Sequence, residues 1–161
     1  MKPSLLVKTV SLFIFAVFNG RALSDDCSKL NNIISLASEN FVSIKEGMED
    51  EVDGVKFFKT SIYLELLPDC IVMEDEDGFV FTCSSGSGRA RNIQHAIGSA
   101  DNFVNSCGLK IRDQKEYASK SGRGRSVSYN IITKDRQLVV VRTRSYSGGG
   151  ANRESVSIRR P

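Results

Sequence analysis

The stretch Cys70–Cys83, CIVMEDEDGFVFTC, decides how the rest of the chain is interpreted. Two short apolar runs flank an acidic segment that ends in Asp77-Gly78, and an Asp-Gly pair between such runs is a strong β-hairpin signal. The preceding segment, residues 55–66, alternates apolar and polar side chains well enough to predict another strand. Pro68 and Asp69 turn the chain between them. The sequence therefore predicts a three-stranded antiparallel meander.

Two amphipathic helices are predicted on either side of this meander. The first begins at Asp25 or Asp26 and ends near Gly47, because its apolar residues recur at helical spacing. The acidic segment from residue 46 to residue 54 is interpreted as a loop. The second helix covers Arg89 to Cys107, where one apolar stripe runs into a glycine stop.

A second hairpin follows the second helix. Residues 127–131 alternate as a strand, and a turn at residues 134–136 leads into Leu138–Arg144. Residues 147–161 have no apolar period and are predicted to form a flexible tail. The expected fold class is α+β: an antiparallel sheet, made of the three-strand meander plus this second hairpin, with two packed helices in the order α-β-β-β-α-β-β. One extra strand near Leu109 is left open.

The amino terminus has the pattern of a secretory signal peptide. Two lysines precede an apolar core from Val10 to Phe18, and Ala22 and Ser24 supply the small side chains that a signal peptidase accepts. The apolar run is roughly nine residues, about half of the ~20 needed to span a bilayer, so no stable membrane anchor is expected. Cleavage is predicted after Ser24. The resulting regions are a signal peptide over 1–24, a single disulfide-bonded domain over 25–146 and the tail over 147–161.

The four cysteines all follow the predicted cleavage point, and two disulfides are the default in an oxidising compartment. The second helix rises ~27 Å and runs back along the strand that carries Cys83. Cys107 is thereby placed far from Cys83, whereas bridged Cα atoms lie about 4.4 to 6.8 Å apart. The expected pairs are Cys27 with Cys107 and Cys70 with Cys83. A four-residue loop ending at Gly78 would place the second pair opposite each other, and a two-residue turn ending there would not.

Charge is divided unevenly along the predicted mature chain. Loss of Lys2, Lys8 and Arg21 from the 22 basic residues of the whole chain leaves 19, against 19 acidic residues. Residues 25–85 hold 14 acidic and 4 basic side chains, whereas residues 86–161 hold 5 acidic and 15 basic. Such asymmetry is typical either of a binding face or of oppositely charged strands that lie side by side.

Four residues are candidates for binding. Arg142 and Arg144 share one face of a predicted strand and could engage carboxylates or phosphates of a partner. The alternative is that they neutralise the acidic first half, where each exposed pair contributes about 0 to 1 kcal/mol. Phe57 and Tyr63 are predicted to add an exposed apolar contact surface, unless a helix covers them.

No motif in the sequence indicates catalysis. Oxidised cysteines cannot serve as nucleophiles or metal ligands, and His95, the single histidine, lies away from the apolar stripe of its helix. The acidic run Glu74–Asp77 does not extend into a calcium loop, because an EF-hand beginning at Asp75 would need a carboxylate where Gly86 stands. No cofactor is expected. Export also argues against nucleic acid as the partner.

Short segments resemble a pattern in small exported bacterial proteins of uncharacterised function. They are FVSIKEG at 41–47, LPDC at 67–70, FTC at 81–83 and an alanine-containing helix that ends at Cys107. The order of helices and strands is similar to that of secretion-chaperone-like folds, which implies architecture more than activity. A type III secretion chaperone would be cytoplasmic and free of disulfides, and this sequence departs on both counts.

These observations lead to an expected function. The chain is predicted to be an exported, non-enzymatic binding or interaction protein, periplasmic or secreted, whose partner is a protein or an envelope component. A periplasmic immunity protein that blocks a secreted toxin is the specific version of this hypothesis. The alternative is an envelope-acting enzyme with no recognisable motif. The sequence does not indicate an oligomeric state.

Overall fold

The computed structural model describes residues 24–85, 100–118, 124–148 and 151–161. Helix α1 occupies residues 24–36, continues as a 3-10 turn at Ala37–Glu39, and is followed much later by the short helix α2 at Ala100–Ser106. The strands are β1 Lys45–Val52, β2 Val55–Thr60, β3 Asp69–Asp75, β4 Gly78–Ser84, β5 Ile111–Ala118, β6 Gly124–Ile132, β7 Leu138–Gly148 and β8 Ala151–Arg159. They form one antiparallel sheet in the order β1-β2-β3-β4-β8-β7-β6-β5.

This architecture shows that the predicted α+β fold, with two packed helices in the order α-β-β-β-α-β-β, is wrong. An eight-stranded sheet takes the place of a three-strand meander plus a separate hairpin, and the described helices are short. The described elements follow the order α-β-β-β-β-α-β-β-β-β. Three strands account for the difference: β1, β5 and β8.

Strand β1 lies where the acidic composition of residues 46–54 predicts a loop, and this prediction is wrong. It pairs with β2 across Asp53-Gly54, whose φ angles of +51° and +81° are those of a tight hairpin turn. Most of β1 is exposed, and among the described strands it pairs with β2 alone. Acidic side chains cost little there because an edge strand keeps them in water.

Strand β8 overturns the predicted flexible tail. Val156 and Ile158 are buried, whereas Ser155 and Ser157 on either side of Val156 point to the opposite face. The strand inserts between β4 and β7 and pairs with both. The tail was misjudged because this alternation is short and uses serine and arginine as its polar members.

The described elements fall into two units of the same order, a helix followed by four antiparallel strands. The first unit is α1 with β1 to β4, and the second is α2 with β5 to β8. Their strands meet at the antiparallel seam between β4 and β8, from Val80↔Arg159 to Ser84↔Ser155. The sheet is therefore continuous across both units.

One face of the sheet packs against the helices and is called the covered face. Leu30, Ile33 and Ile34 of α1, with Phe103 and Val104 of α2, lie in the same buried cluster as the inward side chains of the strands. Those strand side chains are Val72, Phe81, Cys83, Val127, Tyr129, Ile131, Val139, Val141, Val156 and Ile158. Fully burying one such side chain stabilises the fold by roughly 1.5 to 3 kcal/mol.

The described residues contain two disulfides, Cys27–Cys107 and Cys70–Cys83, the pairs expected from the sequence. The β3–β4 register places Glu74 opposite Phe79 and Cys70 opposite Cys83, which is the register of the longer loop. The first bridge ties α1 to the end of α2 across a separation of 80 residues, and the second spans 13. Loop entropy gives the first about 4 to 5 kcal/mol and the second about 3.

A buried carboxylate anchors α1 to the loop after β2. Asp26 is fully buried, and its two oxygens accept hydrogen bonds from the backbone N–H groups of Glu65 at 2.8 Å and Leu66 at 2.9 Å. A buried charge needs such donors, because an unpaired carboxylate in the interior is strongly unfavourable. The contact fixes where the helix lies on the sheet.

Two predictions fall mainly outside the described residues. The signal peptide over 1–24 lies there except for Ser24, and the predicted second helix lies there over residues 89–99. Within the described ranges, none of the helices is long and apolar enough to cross a membrane.

Candidate binding face

The face of the sheet opposite the helices is called the open face. On β7, Val139, Val141 and Thr143 are buried on the covered face, whereas Arg142 is half-buried and Arg144 is exposed. Alternation along a strand places the two arginines together on the open face. The structure thus confirms that Arg142 and Arg144 share one strand face.

Strand register surrounds these arginines with hydroxyl groups. Arg142 lies in a row with Thr82, Ser157 and Ser128 on three neighbouring strands. Its Nε donates a hydrogen bond to Ser128 Oγ at 3.1 Å, and the Thr82 and Ser157 hydroxyls are 2.9 Å apart.

A second row of hydroxyl groups lies two residues further along the strands. It passes through Arg144 and contains Ser84, Ser155 and Ser126. Hydroxyl and guanidinium groups in regular rows can donate many hydrogen bonds to an anionic ligand.

The acidic residues of the β3–β4 hairpin form ion pairs with cations other than Arg142 and Arg144. Glu74 lies 3.8 Å from Lys56, and Asp77 lies 3.8 Å from Arg159. In the described part of the chain, neither Arg142 nor Arg144 takes part in an ion pair. The alternative that these two arginines neutralise the Glu74–Asp77 segment therefore finds no support in the contacts.

An apolar region adjoins the rows of Arg142 and Arg144 on the same face. Phe57 on β2 is opposite Met73 on β3, and Met73 is opposite Val80 on β4. That row continues to Arg159 on β8. Phe57 is half-buried and points away from its neighbour Phe58, which packs against the core. Three of the four predicted binding residues, Phe57, Arg142 and Arg144, therefore share the open face.

Tyr63 does not belong to this surface. β2 ends at Thr60, so Tyr63 lies in the following loop with 58% of its surface exposed. Lys29 of α1 lies 4.8 Å above its ring, which places the tyrosine beside the helix that packs on the covered face. A hydrogen bond to the Asp25 carboxylate, 2.9 Å away, raises the pKa of Lys29 and keeps this cation charged. The predicted pairing of Tyr63 with Phe57 in one contact surface is wrong.

The remaining candidate residues are His95 and the acidic side chains at the tip of the β3–β4 hairpin. His95 lies outside the described residues. The described part of the chain contains no group of three or more His, Cys, Asp or Glu side chains placed to hold a metal ion. Asp75 Oδ1 instead accepts the backbone N–H of Asp77 at 2.9 Å within the hairpin tip.

Sequence reasoning missed the hydroxyl rows because two of their members, Ser155 and Ser157, lie in the segment interpreted as a tail. The alternation Ser155-Val156-Ser157-Ile158 was the signal that could have revealed them. Thr82 and Ser128 also lie beside buried residues on predicted strands, but neighbouring rows can be recognised only once the strand order is known.

The covalent structure indicates the compartment in broad terms. Two disulfides are characteristic of proteins in a non-cytoplasmic, oxidising environment, because cytosolic reductants keep thiols reduced.

Comparisons with known proteins show no family for this chain. No protein-family model matches the sequence. A search of curated proteins gives no match either. Among solved structures, the solution structure of cyanobacterial PsbP (CyanoP) from Synechocystis sp. PCC 6803 matches with a TM-score of 0.34 and 10% sequence identity, covering 74% of this chain and 81% of that chain.

Proposed function

We propose that the protein is an exported, non-enzymatic binding protein, periplasmic or secreted, whose open face binds the acidic surface of a partner protein. The observation that carries this proposal is the pair Arg142 and Arg144 in hydroxyl rows without an ion pair in the described part of the chain. A periplasmic immunity protein, whose partner would be a toxin, is the specific version.

Burial and a hydrogen bond pre-organise Arg142 for binding an anionic group. Arg142 is half-buried, and its guanidinium donates a hydrogen bond to Ser128, so the side chain is partly ordered before a ligand binds and less entropy is lost on binding. Its neighbour Arg144 is exposed and lies one strand repeat away, about 7 Å along β7. Two guanidinium groups at this spacing can each form a bidentate pair with a carboxylate.

The adjoining apolar row favours a protein over a charged polymer. A polyanion would be held by cations alone, whereas Phe57 and Met73 offer contacts that only a partner with apolar surface can use. Aromatic residues, methionine and arginine are enriched in protein interfaces. An acidic protein surface bordered by apolar residues fits both halves of the open face.

The hydrogen bonds on this face favour binding over catalysis. Thr82 pairs with another hydroxyl, and Ser128 accepts from a guanidinium. Neither partner is a base that could activate a hydroxyl as a nucleophile. These contacts support the non-enzymatic version over an envelope-acting enzyme.

The test combines capture from envelope extract with matched variants. The double variant Arg142→Gln/Arg144→Gln removes two charges from the open face, and Lys134→Gln/Arg136→Gln removes two exposed charges from the β6–β7 turn. A specific partner should be retained by the wild type and the turn variant and should bind the open-face variant roughly tenfold or more weakly at low salt.

Two further outcomes would contradict the proposal. Equal loss in both double variants would indicate a general charge effect. Capture of an anionic polymer that binds the Phe57→Ser variant with unchanged affinity would exclude a protein as the partner.

A further inference from the structure

The two ends of the sheet are β1 and β5, and each pairs with a single neighbour in the described structure. A strand at the end of a sheet presents unpaired backbone N–H and C=O groups that can accept another strand. Residues 112–118 of β5 are all exposed. From Asp113 to Ala118, β5 pairs with β6 in unbroken register, so its free side is regular as well.

Backbone directions identify which β5 residues face the free side. The N–H of Ile132 donates to the carbonyl of Lys110 at 3.1 Å, so alternate residues of β6, including Asn130 and Ser128, direct their backbone groups toward β5. Their β5 partners, Asp113 and Lys115, direct their own backbone N–H and C=O groups toward β6. The intervening residues Gln114 and Glu116 therefore direct their backbone N–H and C=O groups away from β6.

The side-chain charges of this edge are self-complementary. The sequence Arg112-Asp113-Gln114-Lys115-Glu116 has signs plus, minus, neutral, plus, minus. In an antiparallel pair of two such strands centred on Gln114, each Asp113 faces the Lys115 of the other copy within the unbroken register. Each Arg112, which lies at the register shift between Ile111 and Asp113, comes opposite the Glu116 of the other copy. Every charged residue in this register meets the opposite sign, and Gln114, whose backbone points outward, meets itself.

We infer that two copies of the chain associate through antiparallel pairing of their β5 edges about a two-fold axis at Gln114. The interface is isologous, which closes the assembly at a dimer. It joins two eight-stranded sheets into one sheet of sixteen strands. Because directly opposed residues point to the same face, both open faces lie on the same side of the dimer.

The contacts that Asp113 and Arg112 make within the chain do not prevent the pairing. Asp113 accepts a hydrogen bond from Asn130, and Arg112 lies 4.0 Å from Asp113 in the same strand. These groups are exposed, so they can share a second partner at small cost. A strand pair buries little area, and the dimer is therefore reversible and dependent on concentration.

The opposite edge is built against such pairing. Glu49, Asp50 and Glu51 follow one another on β1, and the register with β2 is interrupted between Lys45 and Met48 and again between Met48 and Asp50. Like charges and bulges are the usual devices that block edge pairing. This contrast selects β5 as the dimer edge.

A charge exchange tests the proposal by sedimentation of the full-length, disulfide-bonded chain over the micromolar range. The wild type is expected to show a monomer–dimer equilibrium. Lys115→Asp places Asp113 opposite an aspartate, and Asp113→Lys places Lys115 opposite a lysine, so each variant alone should dimerise roughly tenfold more weakly. An equimolar mixture restores opposite signs at both positions and should form heterodimers near wild-type strength.

Gln114→Pro provides an independent test, because it removes an outward N–H without breaking the β5–β6 ladder. It should abolish dimerisation while the thermal midpoint measured at low concentration stays near that of the wild type. A wild type that stays monomeric, a dimer indifferent to Lys115→Asp, or a mixture no stronger than either variant alone would each overturn the inference.

Discussion

The two faces of the sheet have different chemistry although neighbouring residues of the same strands build them. Phe81 is 1% exposed in the core on the covered face, and the next residue, Thr82, is half-buried in a hydroxyl row on the open face. Apolar burial on one face supplies most of the stability, since exposed or partly exposed substitutions usually change it little. The open face is consequently able to vary in binding chemistry without loss of the fold.

The largest expected change in the free energy of unfolding distinguishes Phe81 from its neighbour Thr82. Phe81→Ala should lower the free energy of unfolding by about 3 to 5 kcal/mol, because it leaves a cavity beside Phe41, whose ring centroid is 5.9 Å away. Thr82→Ala, one residue along β4, should cost about 1 kcal/mol or less. Denaturant unfolding with both disulfides intact measures the difference, and equal losses would show that the open face is also core.

A second pair of variants compares two neighbouring carboxylates of α1. Asp26→Asn keeps one acceptor oxygen but turns a donor toward one of the N–H groups of Glu65 and Leu66, and it should cost about 2 kcal/mol. Asp25→Asn loses an ion pair with Lys29 in which the Asp25 carboxylate is exposed, and it should cost less than about 1 kcal/mol. Thermal unfolding decides the order, and a larger loss at Asp25 would contradict the buried anchor.

The smallest expected effect concerns the arginines of the open face. Arg142→Gln/Arg144→Gln should lower the free energy of unfolding by no more than about 1 kcal/mol, because it removes the hydrogen bond from Arg142 to Ser128 but no ion pair in the described ranges. Arg159→Gln, which removes the contact with Asp77, serves as the control and should cost up to about 1 kcal/mol. A loss well above 1 kcal/mol in the double variant would assign Arg142 and Arg144 a structural role.

Local signals in the sequence were sufficient for part of this fold. The hairpin between Cys70 and Cys83 was predictable because turn residues and flanking apolar runs act over a few residues, although Glu76 and Asp77, and not Asp77 and Gly78, form the turn. The turn between β6 and β7 was recognisable for the same reason, and Arg136 indeed has a positive φ of 60° there. Grouping Arg142 with Arg144 required only the two-residue period of a strand.

The remainder depends on which strands become neighbours. β1 was missed because acidic composition outweighed its Asp53-Gly54 turn, although charged residues are common on edge strands. β8 was missed because its alternation is short and because one of its two pairings, the one with β4, joins residues far apart in the chain. The hydroxyl rows around Arg142 inherit that difficulty, since Thr82 and Ser157 are neighbours only through the β4–β8 seam.

That seam also sets the order in which the molecule can be completed. Strand β8, which joins the two units, follows the other seven described strands in the chain, so it leaves the ribosome after them. Until it arrives, β4 and β7 each expose an unpaired side, and the two units have no shared sheet. Pairing over such long sequence separations is slow. Newly made chains therefore pass through a stage with two additional open edges, and the arrival of β8 ends that period of exposure to aggregation.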